Sequence, residues 1–69
     1  MSDVSIVTKM DVHGNPYGEV YVDGRLVVVI THQGVDDFTN RHTTFDPVTV
    51  QQMDWEIKQW IKTYLGKSR

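Results

Sequence analysis

Histidine and aspartate are the residue types in this sequence that could bind a metal ion or transfer a proton. The imidazoles are His13, His32 and His42, and Asp36 and Asp37 lie between the last two. Histidine with carboxylate is a ligand set for zinc, and paired carboxylates can share acid–base work. The spacing matches neither His-x₃-His nor His-Glu-x-x-His, and the three histidines fall in separate segments. We therefore expect no metal site and no cofactor.

Nucleophilic chemistry also lacks its usual motifs. The chain has no cysteine, and none of its serines stands in a Gly-x-Ser-x-Gly turn. The glycines form no Gly-x-Gly-x-x-Gly loop for a phosphate. A chain of 69 residues has little room for a substrate pocket, which usually measures several hundred Å³. The sequence therefore predicts that the protein is not an enzyme.

Charge is distributed unevenly along the chain, whose formal net charge is −2. Residues 1–57 contain all nine acidic residues and three basic ones, whereas residues 58–69 contain four basic residues and no acid. Phosphate contacts dominate nucleic-acid affinity, and an acidic body repels phosphate. The basic end coincides with the end of a predicted helix, where lysines suit the helix dipole. The charge pattern therefore disfavours nucleic acid as a partner.

The elements that position these residues are mostly strands. Valine, threonine and isoleucine make up about a third of the chain, and there is no alanine. Alternating apolar residues and turn signals predict strands over about 4–12, 18–22 and 25–32. A loop over 33–45 follows, within which 39–45 offers a fourth, short edge strand.

A C-terminal helix over about 47–65 comes next, ahead of a tail over 66–69. Asp46 is placed to cap the helix, and Pro47 suits its first position. Its apolar residues recur at helical spacing: Val50, Met53, Ile57, Trp60, Ile61 and Tyr64. The elements together predict a single α+β domain, a three-stranded antiparallel meander with one amphipathic helix packed on one face.

The Asp23-Gly24 pair between two apolar runs predicts a β-hairpin, and two registers fit it. A two-residue turn pairs Tyr21 with Leu26, whereas a three-residue loop with a bulge at Gly24 pairs Val20 with Leu26. Only the second places Leu26 with the other core candidates on one face. We therefore favour the bulged loop.

The second face of this sheet is not cleanly polar. On the favoured register it carries four apolar or aromatic side chains: Val7, Tyr21, Val27 and Val29. The alternatives are coverage by the 33–45 loop and a binding surface. Because so short a chain buries little surface, we expect a homodimer, and this face is either its seam or the docking site of a different partner.

Trp55 and Val48 form the second candidate surface. Both fall on the side of the helix opposite its apolar stripe, where tryptophan is uncommon. Tryptophan is enriched at interface hot spots, so we expect Trp55 to contact another chain. The alternative is that it lies over the 33–45 loop.

These features predict a small protein-binding modulator or inhibitor that covers a surface of a larger protein. One version uses an acidic surface to compete with nucleic acid for a basic groove, and its residues are Asp11, Glu19, Asp23, Asp36 and Asp37. We expect a cytoplasmic protein, because no signal peptide or apolar run of about 18 residues is visible. A bacteriophage or mobile element is the expected source, on size alone.

The alternative function is a nucleic-acid-binding regulator that uses the three-stranded sheet. Three strands followed by a C-terminal helix resemble, in element order only, the DNA-reading domains of some phage integrases and plant transcription factors. The resemblance implies arginines presented from the sheet. In this sequence the predicted strands and their turn contain two basic residues, Lys9 and Arg25, and three acidic ones, Asp11, Glu19 and Asp23. The resemblance is therefore limited to the order of the elements and does not extend to the basic residues of those domains.

Overall fold

The computed structural model describes residues 2–66 and has the predicted α+β architecture. The sheet is four-stranded and antiparallel, in the order β1-β2-β3-β4, with α2 packed on one face. The elements are β1 (Val4–Met10), β2 (Pro16–Val22), β3 (Arg25–Thr31), β4 (Gly34–Asp37), α1 (Arg41–Thr44) and α2 (Pro47–Tyr64). The meander is confirmed, and the fourth strand is short.

The β1–β2 connection is a loop over residues 11–15. Both strand limits shift from prediction, because pairing runs to Met10 opposite Pro16. The carboxylate of Asp11 holds the loop by accepting the backbone N–H groups of His13 at 2.8 Å and Asn15 at 2.9 Å. Proline is tolerated as the first residue of a strand, so β2 begins before residue 18.

The 33–45 segment is structured. β4 lies at Gly34–Asp37, before the stretch where a fourth strand is predicted, and most of that later stretch is α1. The Asp37 carboxylate accepts the backbone N–H of Thr39 at 3.1 Å and the Arg41 guanidinium at 2.8 Å. Arg41 also donates to Asp54 of α2 at 3.0 Å, so one side chain ties β4, α1 and α2 together.

The β2–β3 hairpin closes with a two-residue turn. Asp23 and Gly24 both have positive φ, 53° and 84°, as a type I′ turn requires. Tyr21 therefore pairs with Leu26. The favoured three-residue loop is wrong, because an Asp-Gly pair satisfies the tighter turn without help from a third residue.

A bulge at Val27 follows this turn inside β3. The register shifts so that Val20 faces Val28, which leaves Val27 without a partner on β2. Both Val27 and Val28 are buried in the core, whereas Leu26 is 41% exposed. The two-residue turn thus reverses the predicted sides of Leu26 and Val27 by setting Leu26 opposite Tyr21, and the bulge returns Val28 to its predicted side.

The core lies between one face of the sheet, here the covered face, and α2. Its buried members are Val20, Val22, Val27, Val28, Ile30, Met53, Ile57 and Trp60. The Trp60 indole N–H donates to the Thr8 hydroxyl at 2.9 Å, and its ring lies on Gly18. A Cβ at Gly18 would come 2.9 Å from Trp60 Cε2, so glycine is what lets the ring approach the sheet.

Helix α2 matches its prediction closely. Asp46 caps it by accepting the Thr49 N–H at 3.4 Å and the Thr49 hydroxyl at 2.6 Å, and the hydroxyl bond lowers the pKa of Asp46. Leu65 and Gly66 close the end by donating to the Ile61 carbonyl at 2.8 Å. Residues 67–69 of the predicted tail lie outside the described residues. Neither helix in residues 2–66 is long and apolar enough to cross a membrane.

Candidate interaction surfaces

The sheet side away from α2, here the open face, carries five side chains that the register places together: Val7, Glu19, Tyr21, Leu26 and Val29. Val7 lies opposite Glu19, and Glu19 lies opposite Val29. Val7 is 43% exposed, and Tyr21 and Val29 are half-buried. Val7 and Val29 therefore lie on either side of the Glu19 carboxylate, and Asp36, opposite Val29 on β4, lies on the same face.

That carboxylate is the centre of a small polar network. Lys9 Nζ lies 3.1 Å from Glu19 Oε1, and the Tyr21 hydroxyl donates to the same oxygen at 3.0 Å. The bond from Lys9 holds the pKa of Glu19 below its usual value, and burial opposes this. Glu19 in turn raises the pKa of Lys9 and of Tyr21. Any layer laid over the open face would have to strip water from this ion pair.

Three of the four side chains predicted for this face lie there: Val7, Tyr21 and Val29. The assignment of Val27 to it is wrong, because Val27 is 4% exposed and packs in the core. Leu26 takes its place, a residue that the sequence reasoning put in the core. The sequence signal that could have placed Leu26 on this face is the two-residue turn, since that turn sets Leu26 opposite Tyr21.

Trp55 and Val48 lie on the outer face of α2, where the helical spacing predicts them. Trp55 is 58% exposed and Val48 is 59% exposed. They are seven residues apart, so they sit on one side of the helix at a separation of about 10 Å. Arg41 of the 33–45 segment binds Asp54, the neighbour of Trp55, at 3.0 Å, while more than half of the Trp55 surface is in solvent.

The five acidic residues proposed as one surface are dispersed. Asp11 and Asp23 lie in turns at opposite ends of the sheet, Glu19 is on the open face, and Asp36 and Asp37 are on β4. Most already have internal partners. Asp11 and Asp37 hold loops, Glu19 pairs with Lys9, and Asp23 accepts the Asp3 N–H at 2.9 Å. The arrangement offers no single acidic patch to a partner.

A cleft of about 450 Å³ lies where the β2–β3 turn meets α1. Its lining residues are Val22, Asp23, Arg25, Leu26, Val27, Thr39, Thr44 and Phe45. Among the described residues that line it, Asp23 and Arg25 are ionisable, and the Asp23 carboxylate already accepts the Asp3 N–H. Within residues 2–66, no three His, Cys, Asp or Glu side chains come together in a way that could hold a metal ion.

No family model, curated protein or solved structure matches this chain. The surfaces themselves are therefore the guide to function, and the outer face of α2 and the open face of the sheet are the two that carry unusual side chains.

Proposed function

We propose that the chain is a small protein-binding modulator that acts by covering a surface of a larger protein, not as an enzyme. The outer face of α2 is the proposed contact. The observation that carries the proposal is the exposure of Trp55, which is 58% exposed. The opposite side of the same helix packs in the core through Met53, Ile57 and Trp60. A tryptophan left in water loses the stabilisation that burial against a partner gives.

The neighbours of Trp55 suit an interface centre with a polar rim. Val48, seven residues earlier, supplies a second apolar group on the same side. Gln51, Gln52 and Lys58 are exposed around them. An i, i+7 pair of apolar anchors is the pattern by which a helix docks in a groove of another protein. A groove lined by apolar residues is thus the partner feature that this helix fits.

Quantitative affinity capture from cells that express the chain tests this proposal. Trp55→Ala should lower the recovery of specific partners by at least tenfold, as expected for a hot spot of about 2 kcal/mol. Phe38→Ala is the matched control, because Phe38 is an aromatic residue of similar exposure, 61%, in the β4–α1 connection. Equal recovery of every protein by wild type and Trp55→Ala would refute the contact.

Nothing on the sheet favours the alternative of nucleic-acid binding. Lys9, on the open face, is paired with Glu19 at 3.1 Å. Arg25 lies opposite Val22, whose side chain points to the covered face. The two basic residues of the three long strands therefore do not combine into a phosphate-binding surface.

The proposal includes self-association in the cytoplasm. A 69-residue chain buries only about 60% of its unfolded surface, and no disulfide is available to compensate. A second copy adds burial at no cost in sequence length. The lack of cysteine fits a reducing compartment. A phage or mobile-element origin remains a prediction.

A further inference from the structure

The two edges of the sheet differ in how they are protected. β4 has four residues, and two of them are Asp36 and Asp37. A second β4 strand paired with it would bring four carboxylates together, which is a common defence against edge pairing. β1 has seven residues, a single charge at Lys9, and no proline or bulge. Lys9 is its one charged defence, and that side chain is paired with Glu19.

Hydrogen-bond alternation shows which groups of β1 face outward. Asp23 N–H donates to the Asp3 carbonyl at 2.9 Å, and Asp11 N–H donates to the Asn15 carbonyl at 3.0 Å. Odd-numbered residues of this strand thus bond toward β2, because paired residues alternate along an antiparallel ladder. The outward backbone groups belong to the even-numbered residues: Val4, Ile6, Thr8 and Met10.

We propose that a second copy of this chain pairs along β1, antiparallel, with Val7 on the two-fold axis. This inference rests on the self-association proposed above and moves its seam from the open face to the edge. Centring on Val7 uses the whole strand, because Ile6 then lies opposite Thr8 of the second copy and Val4 lies opposite Met10. The pairing forms about eight backbone hydrogen bonds and one continuous sheet.

The register is compatible with the side chains. Lys9 lies opposite Ser5 of the second copy, so no like charges face each other. Val7 faces Val7 across the axis, with Cα atoms about 4.5 Å apart, since the odd-numbered residues form non-hydrogen-bonded pairs. A strand that is self-complementary about its own centre needs no other partner to fix its register.

Helix α2 adds to this interface. Residues opposite each other in a sheet point to the same face, so both copies carry α2 on the same side. A shallow groove of about 270 Å³ runs between β1 and α2, lined by Ile6, Thr8, Glu56, Gln59, Trp60, Thr63 and Tyr64. The two grooves meet at the axis. Burial of Tyr64, which is 40% exposed in one chain, adds apolar area to the backbone bonds.

The open face is the less favourable seam. Stacking two open faces would bury two Lys9–Glu19 ion pairs, and desolvation of such pairs costs as much as their attraction returns. Edge pairing leaves both ion pairs in water. The edge thus provides a seam without burying the Lys9–Glu19 ion pairs.

Disulfide trapping tests the edge model in a chain that has no cysteine of its own. Val7→Cys should form a disulfide-linked dimer under mild oxidation, because the expected Cα separation falls within the roughly 4.4–6.8 Å range of disulfides. Val35→Cys, 42% exposed on the β4 edge, is the control for random collision. It should cross-link at least about tenfold more slowly, as should Val29→Cys, which lies on the open face like Val7 but two strands away from the β1 edge.

Light scattering at tens of micromolar supplies the second measurement. Wild type should have twice the 8.0 kDa mass of one chain, and Val7→Lys should have the mass of one chain with an unchanged circular dichroism spectrum. Mixing Val7→Lys with Val7→Glu should restore the dimer, and Val35→Lys should leave it intact.

The outcomes distinguish failure of the edge model from failure of self-association itself. A dimeric wild type in which Val29→Cys cross-links faster than Val7→Cys would overturn the edge model in favour of the open face. A dimeric Val7→Lys variant would also overturn the edge model. A wild-type mass of 8.0 kDa would overturn self-association itself while leaving the Trp55 contact standing.

Discussion

The covered face and the open face of the sheet are made largely of the same residue types, and they differ in what interrupts them. On the covered face a glycine lies among the valines, so the Trp60 ring can approach the strand and α2 can pack. On the open face Glu19, with its Lys9 and Tyr21 partners, lies among apolar side chains. Valine occurs on both faces of the sheet. Whether a strand valine is buried is therefore decided by the face on which the strand register places it, and not by its residue type.

Replacing neighbours across the bulge by aspartate gives the largest expected contrast between the faces. Val27→Asp places an unpaired charge in the core and should destabilise the fold by about 3–5 kcal/mol, enough to unfold a chain of this size. Leu26→Asp, on the open face, should change stability by less than about 0.5 kcal/mol. Urea unfolding followed by circular dichroism measures both. A greater loss from Leu26→Asp would mean that the hairpin closes with the three-residue loop, which places Leu26 in the core.

Gly18→Ala should have an intermediate effect, confined to the covered face. The new Cβ would come 2.9 Å from Trp60 Cε2, and overpacking of this kind costs about 1–3 kcal/mol. Thermal unfolding should show a lower Tm for the variant. Trp60→Phe gives the test of mechanism, because a smaller ring relieves the clash: the double variant should be more stable than the sum of the single changes predicts. Simple additivity would show that the contact is not the cause.

The polar network of the open face should give the smallest effect, visible through pH. The pKa of Glu19 is lower in the folded chain than in the unfolded chain, chiefly through the Lys9 bond. The contribution of Glu19 to the free energy of unfolding is thus present above the pKa of the unfolded chain. It is lost as pH falls through the pKa of Glu19 in the folded chain. Glu19→Gln should lower Tm slightly at neutral pH, and this deficit should shrink as pH falls through the lowered pKa of folded Glu19 and vanish once that carboxyl is protonated. A deficit independent of pH would point to packing instead of charge.

The parts of the fold that local signals specify could be predicted from sequence. Asp46 and Pro47 begin α2, and helical spacing separates Met53 and Trp60, in the core, from Trp55, in solvent. These features depend on residues within a few turns of each other. The exposure of the candidate site on α2 was predictable for the same reason.

The register of β3 could not be predicted in this way. Every residue from Leu26 to Ile30 is apolar, so alternation cannot choose a face, and a bulge is invisible to a rule that assumes strict alternation. β4 lies beside β3, and Asp37 at its end binds Arg41, which in turn binds Asp54 of α2. The register of β3 follows from the turn and the bulge, whereas the contacts of β4 join distant elements. The candidate site on the open face lost Val27 and gained Leu26 as a result.

The two tryptophans, five residues apart on α2, occupy opposite environments: Trp60 is 5% exposed and Trp55 is 58% exposed. The chain thus carries two intrinsic fluorophores that report on different events. The blue-shifted emission expected of Trp60 follows unfolding, while the red-shifted emission expected of Trp55 follows whatever covers the outer face of the helix. Removing either indole leaves a single-probe protein, so folding and occupancy can be followed in one cuvette without an added dye.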